Sequence, residues 1–207
     1  MRGYGSNYTR EAVIKSNFWR NIMKNTYFTS YFPLLAILLF SLSLSIRVEM
    51  TVIELLKNAG IYEGMKEFFS DGGIQLALLV LLLVLFFMVF AALKLIANTI
   101  NELSLLFFSK ESEGDSLKQI RSGSSIYFIG GALSLLSLYS FIGIAVIFLG
   151  ATIVYFIYFV FKISSSMSFM GTIGVILFQV IVWSSMMIGV CYIALKVYNS
   201  IIASLPI

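Results

Sequence analysis

The polar residues best placed to do chemistry lie on one face of a predicted helix that begins inside an apolar run. Lys94, Asn98, Asn101 and Glu102 follow the spacing i, i+4, i+7 and i+8, which places them on one side of an α-helix. Gln179 is the most deeply placed strongly polar residue of a second apolar run. The sequence leaves three interpretations of these residues open: a cavity or transport path, hydrogen bonds between helices, and a wetted face where a helix leaves the membrane.

The other residue types and motifs of the sequence argue against catalysis. The chain has no histidine and one cysteine, Cys191, so the commonest general base, the commonest metal ligand and any intrachain disulfide are missing. It contains no G-x-S-x-G or H-E-x-x-H motif and no acidic pair inside an apolar run. We therefore predict no catalytic residue, no metal site and no cofactor, and we expect the protein not to be an enzyme.

Composition identifies the environment that positions these residues. Of the 207 residues, 59% are hydrophobic and 12% are charged, with a mean hydropathy of +0.96, whereas soluble domains carry about 25% charged residues. The charges leave four uncharged windows, each longer than the roughly 18 apolar residues that indicate a membrane span. These windows are 25–46, 72–93, 122–161 and 163–195. We predict a single all-α domain, an integral membrane helical bundle in a lipid bilayer.

The window 122–161 decides the topology. Its forty residues would form a helix of about 60 Å, roughly twice the thickness of the hydrocarbon core. We therefore expect the chain to fold back near residues 140–143 and to cross the membrane five times, although four crossings distribute the positive charges equally well. The predicted spans are 31–46, 74–96, 126–139, 144–161 and 170–195.

The segments outside these spans are basic on one side of the membrane. Most Lys and Arg residues lie in 1–30, a predicted amphipathic segment, and in 97–123, a predicted helix extension and loop, which places both in the cytoplasm. That clustering indicates membrane orientation, and we predict no nucleic-acid partner. The segment 47–73 is predicted to form two short amphipathic helices on the outer surface, the first starting at a capping box, Thr51 to Glu54.

Three stretches carry a resemblance to a known family. They are KNTYFTSYFP (24–33), ALKLIANTINELS (92–104) and YNSIIASLPI (198–207). They resemble the YufK-like family of small bacterial membrane proteins of unknown function, over nearly the whole chain. The resemblance implies a bacterial cytoplasmic membrane and brings no catalytic or binding residues. The layout is also similar to that of five-span Yip1-type proteins, by architecture alone.

The functional expectation is a non-enzymatic accessory, scaffold or regulatory subunit, because no predicted span has a charge at its middle. Its partner would be another membrane protein or a second copy of the chain. The alternative is a small permease or lipid-handling protein with a cavity lined by the Lys94/Asn98/Asn101/Glu102 face and Gln179.

Overall fold

The protein is an all-α membrane helical bundle, as predicted. A computed structural model describes residues 26–109, 123–165 and 167–204, and these residues contain no strand. The predicted N-terminal amphipathic helix and the charged loop 110–122 lie outside the described residues. The helices are α1 (Thr26–Asn58), α2 (Ile61–Lys66), α3 (Asp71–Phe108), α4 (Ser124–Ser134, continued by a 3₁₀ turn, Leu135–Ser137), α5 (Phe141–Ser164) and α6 (Phe169–Ser204).

Four helices in the described part of the chain are long and apolar enough to cross a membrane. They contain the segments Ser30–Asn58, Asp71–Phe108, Phe141–Ser164 and Phe169–Ser200, of 29, 38, 24 and 32 residues. A crossing needs about 20 residues. The fifth apolar segment, α4 with its 3₁₀ turn, is only about 22 Å long, less than the roughly 30 Å of a hydrocarbon core.

The described residues form two compact units. The first contains residues 26–93 and 123–159, and the second contains residues 94–109 and 160–204, with 166 outside the description. Helix α3 contributes its first part to one unit and its last part to the other.

In the first unit, α4 packs along α1 and runs parallel to it. The rings of Phe32 and Phe128 stack with centroids 5.1 Å apart, and the hydroxyl oxygens of Ser43 and Ser134 lie 2.7 Å apart. Between these contacts Gly131 faces Leu39, so closely that an added Cβ would lie 2.9 Å from the Leu39 Cβ. Small residues allow helices to approach in this way, and a buried hydroxyl pair then satisfies both side chains. These small residues of α4 thus form a packing surface against α1.

The predicted reversal of the chain after α4 is confirmed. The helix gives way to the 3₁₀ turn, and α5 starts at Phe141, where the Gly143 N–H donates to the Ser140 hydroxyl at 3.0 Å. Helix α5 then returns antiparallel to α4, with the Tyr127 hydroxyl donating to the Thr152 hydroxyl at 3.3 Å. A helical hairpin therefore occupies the forty-residue window.

An aromatic cluster joins three helices in the interior of the first unit. Phe40 of α1, Phe90 of α3 and Phe148 of α5 have ring centroids 5.3 to 5.9 Å apart. The tilted and edge-to-face arrangements place ring edges against ring faces, which is the favourable geometry for aromatic pairs. Phe40 is the most buried of the three.

At one end of this unit, the expected pair of surface helices does not form. Helix α1 continues without interruption to Asn58, and Thr51 is inside it, with its hydroxyl donating to the Arg47 carbonyl at 3.2 Å. The predicted capping box is wrong because an apolar helix already running through residue 51 supplies the backbone partners that a cap would replace. The chain turns only at Gly60, which has a φ of 71°.

Beyond Gly60 the short helix α2 is fixed by a group of residues that we name the Tyr62 cluster. Tyr62 is buried, its hydroxyl donates to Asp71 at 3.0 Å, and Lys66 pairs with the same carboxylate at 3.3 Å. The ammonium groups of Lys57 and Lys66 lie 5.0 and 5.6 Å from the centre of the Tyr62 ring, within the range of cation–π attraction. The apolar members of the cluster are Ile53, Leu56, Met65, Ile74 and Leu78.

The electrostatics of this cluster favour the protonated forms of Tyr62 and Lys66 and the ionised form of Asp71, whose pKa is lowered chiefly by the hydrogen bond from Tyr62. Burial, followed by the bond to Asp71, raises the pKa of the Tyr62 hydroxyl. The hydrogen bond to Asp71 likewise raises the pKa of Lys66. A raised pKa in the folded state contributes stability that is fully present below the unfolded-state pKa and is lost as the pH rises through the folded-state value. The cluster therefore keeps these contributions at neutral pH.

The close approach of α4 to α1 can be tested with two glycines. Gly131→Ala places a Cβ against the Leu39 Cβ, and because that atom is attached directly to the α1 backbone, the helices must move apart. We expect a loss of about 1–3 kcal/mol of stability. Gly150 of α5 has nothing within 4 Å of its added Cβ, so Gly150→Ala is the matched control and should be neutral or slightly stabilising. Thermal unfolding in detergent measures both, and equal midpoints would contradict the packing.

The number of crossings can be tested by cysteine labelling in a Cys191→Ser background. Because α4 runs parallel to α1, Tyr139→Cys should lie on the outer side, Ser165→Cys inside and Ala203→Cys outside. A membrane-impermeant maleimide added to intact cells should then label positions 139 and 203 only. Labelling of 165 alone would mean four crossings, with α4 failing to traverse the membrane.

Candidate functional site

The predicted polar face lies in the second unit, on a part of α3 that continues without a break from the apolar run. No glycine or proline occurs between residues 74 and 108, so nothing in the sequence ends the helix where its charged residues begin. The predicted extension of the helix past Leu93 is therefore observed, as far as Phe108. Its polar residues are held on a rigid helix, beside the first half of α6.

The structure brings two of the five predicted residues together. The Gln179 Nε2 of α6 donates to the Asn101 Oδ1 of α3 at 2.7 Å, and the Trp183 Nε1 donates to the Gln179 Oε1 at 3.2 Å. An indole N–H can only donate, so Trp183 sets which end of the Gln179 amide faces Asn101. We call these three side chains the amide relay. Gln179 is 3% exposed and Asn101 is 8% exposed.

The other three predicted residues do not join the relay. Asn98 and Glu102 are exposed, and Lys94 is half-buried. At about 100° per residue, Asn101 lies at one edge of the predicted face, followed by Lys94, Asn98 and then Glu102. Exposure rises in that order around the helix. The polar face is therefore divided, with one edge turned into the unit and the other turned outward.

The outward edge of α3 carries exposed side chains of both kinds, polar and apolar. Leu95 and Leu106 project from the same side of the helix as Asn98 and Glu102, and they are 68% and 57% exposed. We call these four residues the α3 contact face. A carboxylate and an amide between two exposed leucines form a surface suited to another helix that can supply hydrogen-bond donors.

Small residues let α3 and α6 approach closely next to the relay. The ring of Phe108 lies where a Cβ on Gly174 would be, and the Phe178 ring centroid is 6.3 Å from that of Phe108. Helix α6 begins just before this contact, and the Gly171 N–H donates to the Ser168 hydroxyl at 3.2 Å, so Ser168 caps the helix. On α3, the buried Ser104 donates to the Asn101 carbonyl at 2.8 Å.

These contacts define what the site can do. Amide and indole groups do not titrate in the physiological range, so the relay fixes the register of two helices and carries no acid or base. Within residues 26–109, 123–165 and 167–204, no three Cys, Asp or Glu side chains lie close enough together to hold a metal ion. The charged group available to a partner on the contact face is the Glu102 carboxylate.

Sequence reasoning missed Trp183 as part of the site. The available signal was its position four residues after Gln179, which places both side chains on one face of a helix. An apolar aromatic residue in a span is usually assigned to packing, and only its N–H, which needs an acceptor when buried, indicates the additional role.

Known proteins match this chain over most of its length. The family model described as "Family of unknown function (DUF5366)" matches residues 49–206. A Bacillus subtilis (strain 168) protein named "Uncharacterized membrane protein YufK" is 50% identical over 185 residues, covering 89% of this chain and 100% of that protein. No solved structure matches it significantly. The resemblance to the YufK-like family is therefore confirmed.

The relay can be tested by comparing single and double substitutions. Gln179→Leu leaves the buried Asn101 amide without its 2.7 Å donor and should cost about 1–2 kcal/mol of stability. Asn101→Leu combined with Gln179→Leu removes both partners and should recover part of that loss. Asn98→Leu, on the exposed edge of the same helix, is the control and should leave the unfolding midpoint unchanged. A double variant as unstable as the sum of its singles would argue against a direct bond.

Proposed function

This chain belongs to the DUF5366 family of unknown function, and from that premise we propose that it is a non-enzymatic accessory, scaffold or regulatory subunit. In this proposal it lies in the bacterial cytoplasmic membrane with its N-terminus in the cytoplasm. It acts through the α3 contact face, which binds a helix of another integral membrane protein or of a second copy of the chain.

The observation that carries this proposal is the exposed Glu102 carboxylate between exposed leucines. Residues 97–123 are predicted to lie in the cytoplasm, where water can solvate the Glu102 carboxylate but exposed leucines lose burial free energy. A partner helix that supplies a hydrogen-bond donor or a cation to Glu102 buries those leucines at the same time. Leu95 and Leu106 flank the polar pair by one turn or less, which matches the footprint of a single crossing helix.

The arrangement of the interior polar groups favours this proposal over a permease. Gln179 and Asn101 were the deepest candidates for a transport path, and they bond to each other in a buried position. A path for a polar solute needs side chains that remain available to it, whereas a relay whose amides bond each other serves to join helices.

The experiment is site-specific photo-crosslinking in intact cells. A photoreactive phenylalanine analogue at position 95 or 106 should crosslink to one discrete membrane protein, identified by mass spectrometry, or to a second copy of the chain. The same analogue at Ile153, which is 60% exposed on α5, is the control and should give no discrete product. Glu102→Gln should reduce the crosslink several-fold without changing protein abundance.

Two results would overturn the proposal. The first is crosslinking at 95 and 106 that is diffuse, equal to that at 153 and insensitive to Glu102→Gln. The second is solute or lipid transport by the purified monomer in liposomes that Asn98→Ala and Glu102→Ala abolish, which would support the permease interpretation instead.

A further inference from the structure

The turn between α2 and α3 exposes two adjacent aromatic side chains that the fold does not use internally. Phe68 is 81% exposed and Phe69 is 63% exposed. Both N–H groups donate to the Met65 carbonyl, at 3.2 and 3.0 Å, so the backbone holds these residues in a defined turn. A phenylalanine side chain that stays in water lacks about 1.5–3 kcal/mol of burial free energy. Two neighbouring exposed rings are therefore more stable in an apolar environment.

The turn is fixed on both sides. The Tyr62 cluster clamps α2 through the Asp71 carboxylate and the two lysine ammonium groups. After the turn, the Gly73 N–H donates to the Ser70 hydroxyl at 3.2 Å, which caps α3. These contacts hold the turn in one conformation, so its two rings point in a constant direction and do not act as a moving lid.

The position of the turn along α3 indicates what the rings meet. Ile74 packs in the same cluster as Ile53 of α1, and from Ile74 to Leu93 α3 has no charged residue. Phe69 precedes that apolar run by five residues, or about 8 Å of helix rise at most. Within that run α3 exposes further apolar side chains, among them Leu76, at 62%, and Val80, at 50%. The rings therefore lie at the level where a hydrocarbon core gives way to headgroups.

We propose that the 67–70 turn inserts Phe68 and Phe69 into the interfacial layer of the bilayer, as a rigid anchor braced by the Tyr62 cluster. The occupant is lipid, because the uncharged run of α3 begins five residues after Phe69 and exposes apolar side chains such as Leu76 and Val80 along it. Aromatic rings and lysines together are typical of membrane interfaces, where the rings occupy the headgroup boundary and the ammonium groups meet phosphates. Lys66 lies two residues from Phe68.

The test measures the environment of each position with a nitroxide spin label. The full chain, in a Cys191→Ser background, carries Phe68→Cys or Phe69→Cys and is reconstituted in vesicles of phosphatidylcholine and phosphatidylglycerol. Oxygen concentrates in the membrane, and a nickel chelate stays in water, so their collision rates with the label report depth. Leu81→Cys in α3, which is 64% exposed, is the membrane reference. Asn58→Cys, at the polar end of α1 and five residues past Ile53, is the aqueous control.

We expect oxygen collisions to exceed nickel collisions several-fold at 68 and 69, as at 81, and the ratio to reverse at 58. A ratio at 68 and 69 equal to that at 58 would overturn the proposal. So would low collision rates with both reagents, since that result means that a second copy or another protein covers the turn. Phe68→Trp with brominated lipids, in a background where both native tryptophans are replaced (Trp19→Phe and Trp183→Phe), repeats the measurement with a bulky aromatic side chain, and absence of quenching there would also overturn it.

Discussion

Every polar side chain inside a helical membrane bundle must find a protein partner, because the hydrocarbon core offers no water to replace one. The buried serines and amides follow this constraint in two ways, whereas the buried Nε of Arg47 has no hydrogen-bond partner among the described residues. Ser41 and Ser45 donate to carbonyls one turn earlier in α1, at 2.6 Å each, and so are satisfied within their own helix. Ser43 also bonds across to Ser134, and Gln179 bonds across to Asn101. The second kind of bond adds specificity, since it forms in only one register of the two helices.

The Ser43–Ser134 and Gln179–Asn101 bonds lie beside the small residues that permit them. Gly131 precedes Ser134 by three residues, and Gly174 precedes Gln179 by five. The two helices must pack closely before these bonds can form, because a hydroxyl or amide side chain reaches the neighbouring helix only when the helix axes are close. A bulkier residue at either glycine would therefore separate polar groups that it does not touch. Packing and hydrogen bonding in this bundle are thus one coupled property.

Much of the fold could be predicted from the sequence because charge marks the membrane boundaries so clearly. The all-α class, the reversal after α4 and the long extension of α3 follow from window lengths and from the absence of helix breakers. The capping box at Thr51 predicted a helix start that does not occur. Such a box is a local preference worth about 1 kcal/mol, and a helix that already continues through it needs no cap. Ser70, the residue that does cap α3, is followed by Asp71 and then by two glycines, Gly72 and Gly73, which resemble a helix stop signal.

The candidate site could be predicted only in part, for a geometric reason. Helical spacing placed Lys94, Asn98, Asn101 and Glu102 on one face, but a face about 100° wide is broader than the line along which two helices meet. Which edge turns inward depends on the neighbouring helix, and a single sequence does not give that rotation. The position of Gln179 on α6 settles it, since only Asn101 comes within bonding distance of its amide.

That division of one face between two environments bears on function. Had all five polar residues converged, they would have formed a polar pocket, which is the arrangement that a permease requires. Instead the inward edge bonds within the protein, and the outward edge presents the exposed Glu102 carboxylate beside exposed leucines. Exposed leucines gain free energy when another apolar surface covers them, and the carboxylate beside them restricts which surfaces fit. The exposed surface of α3 is therefore the part of this protein best suited to meet a partner.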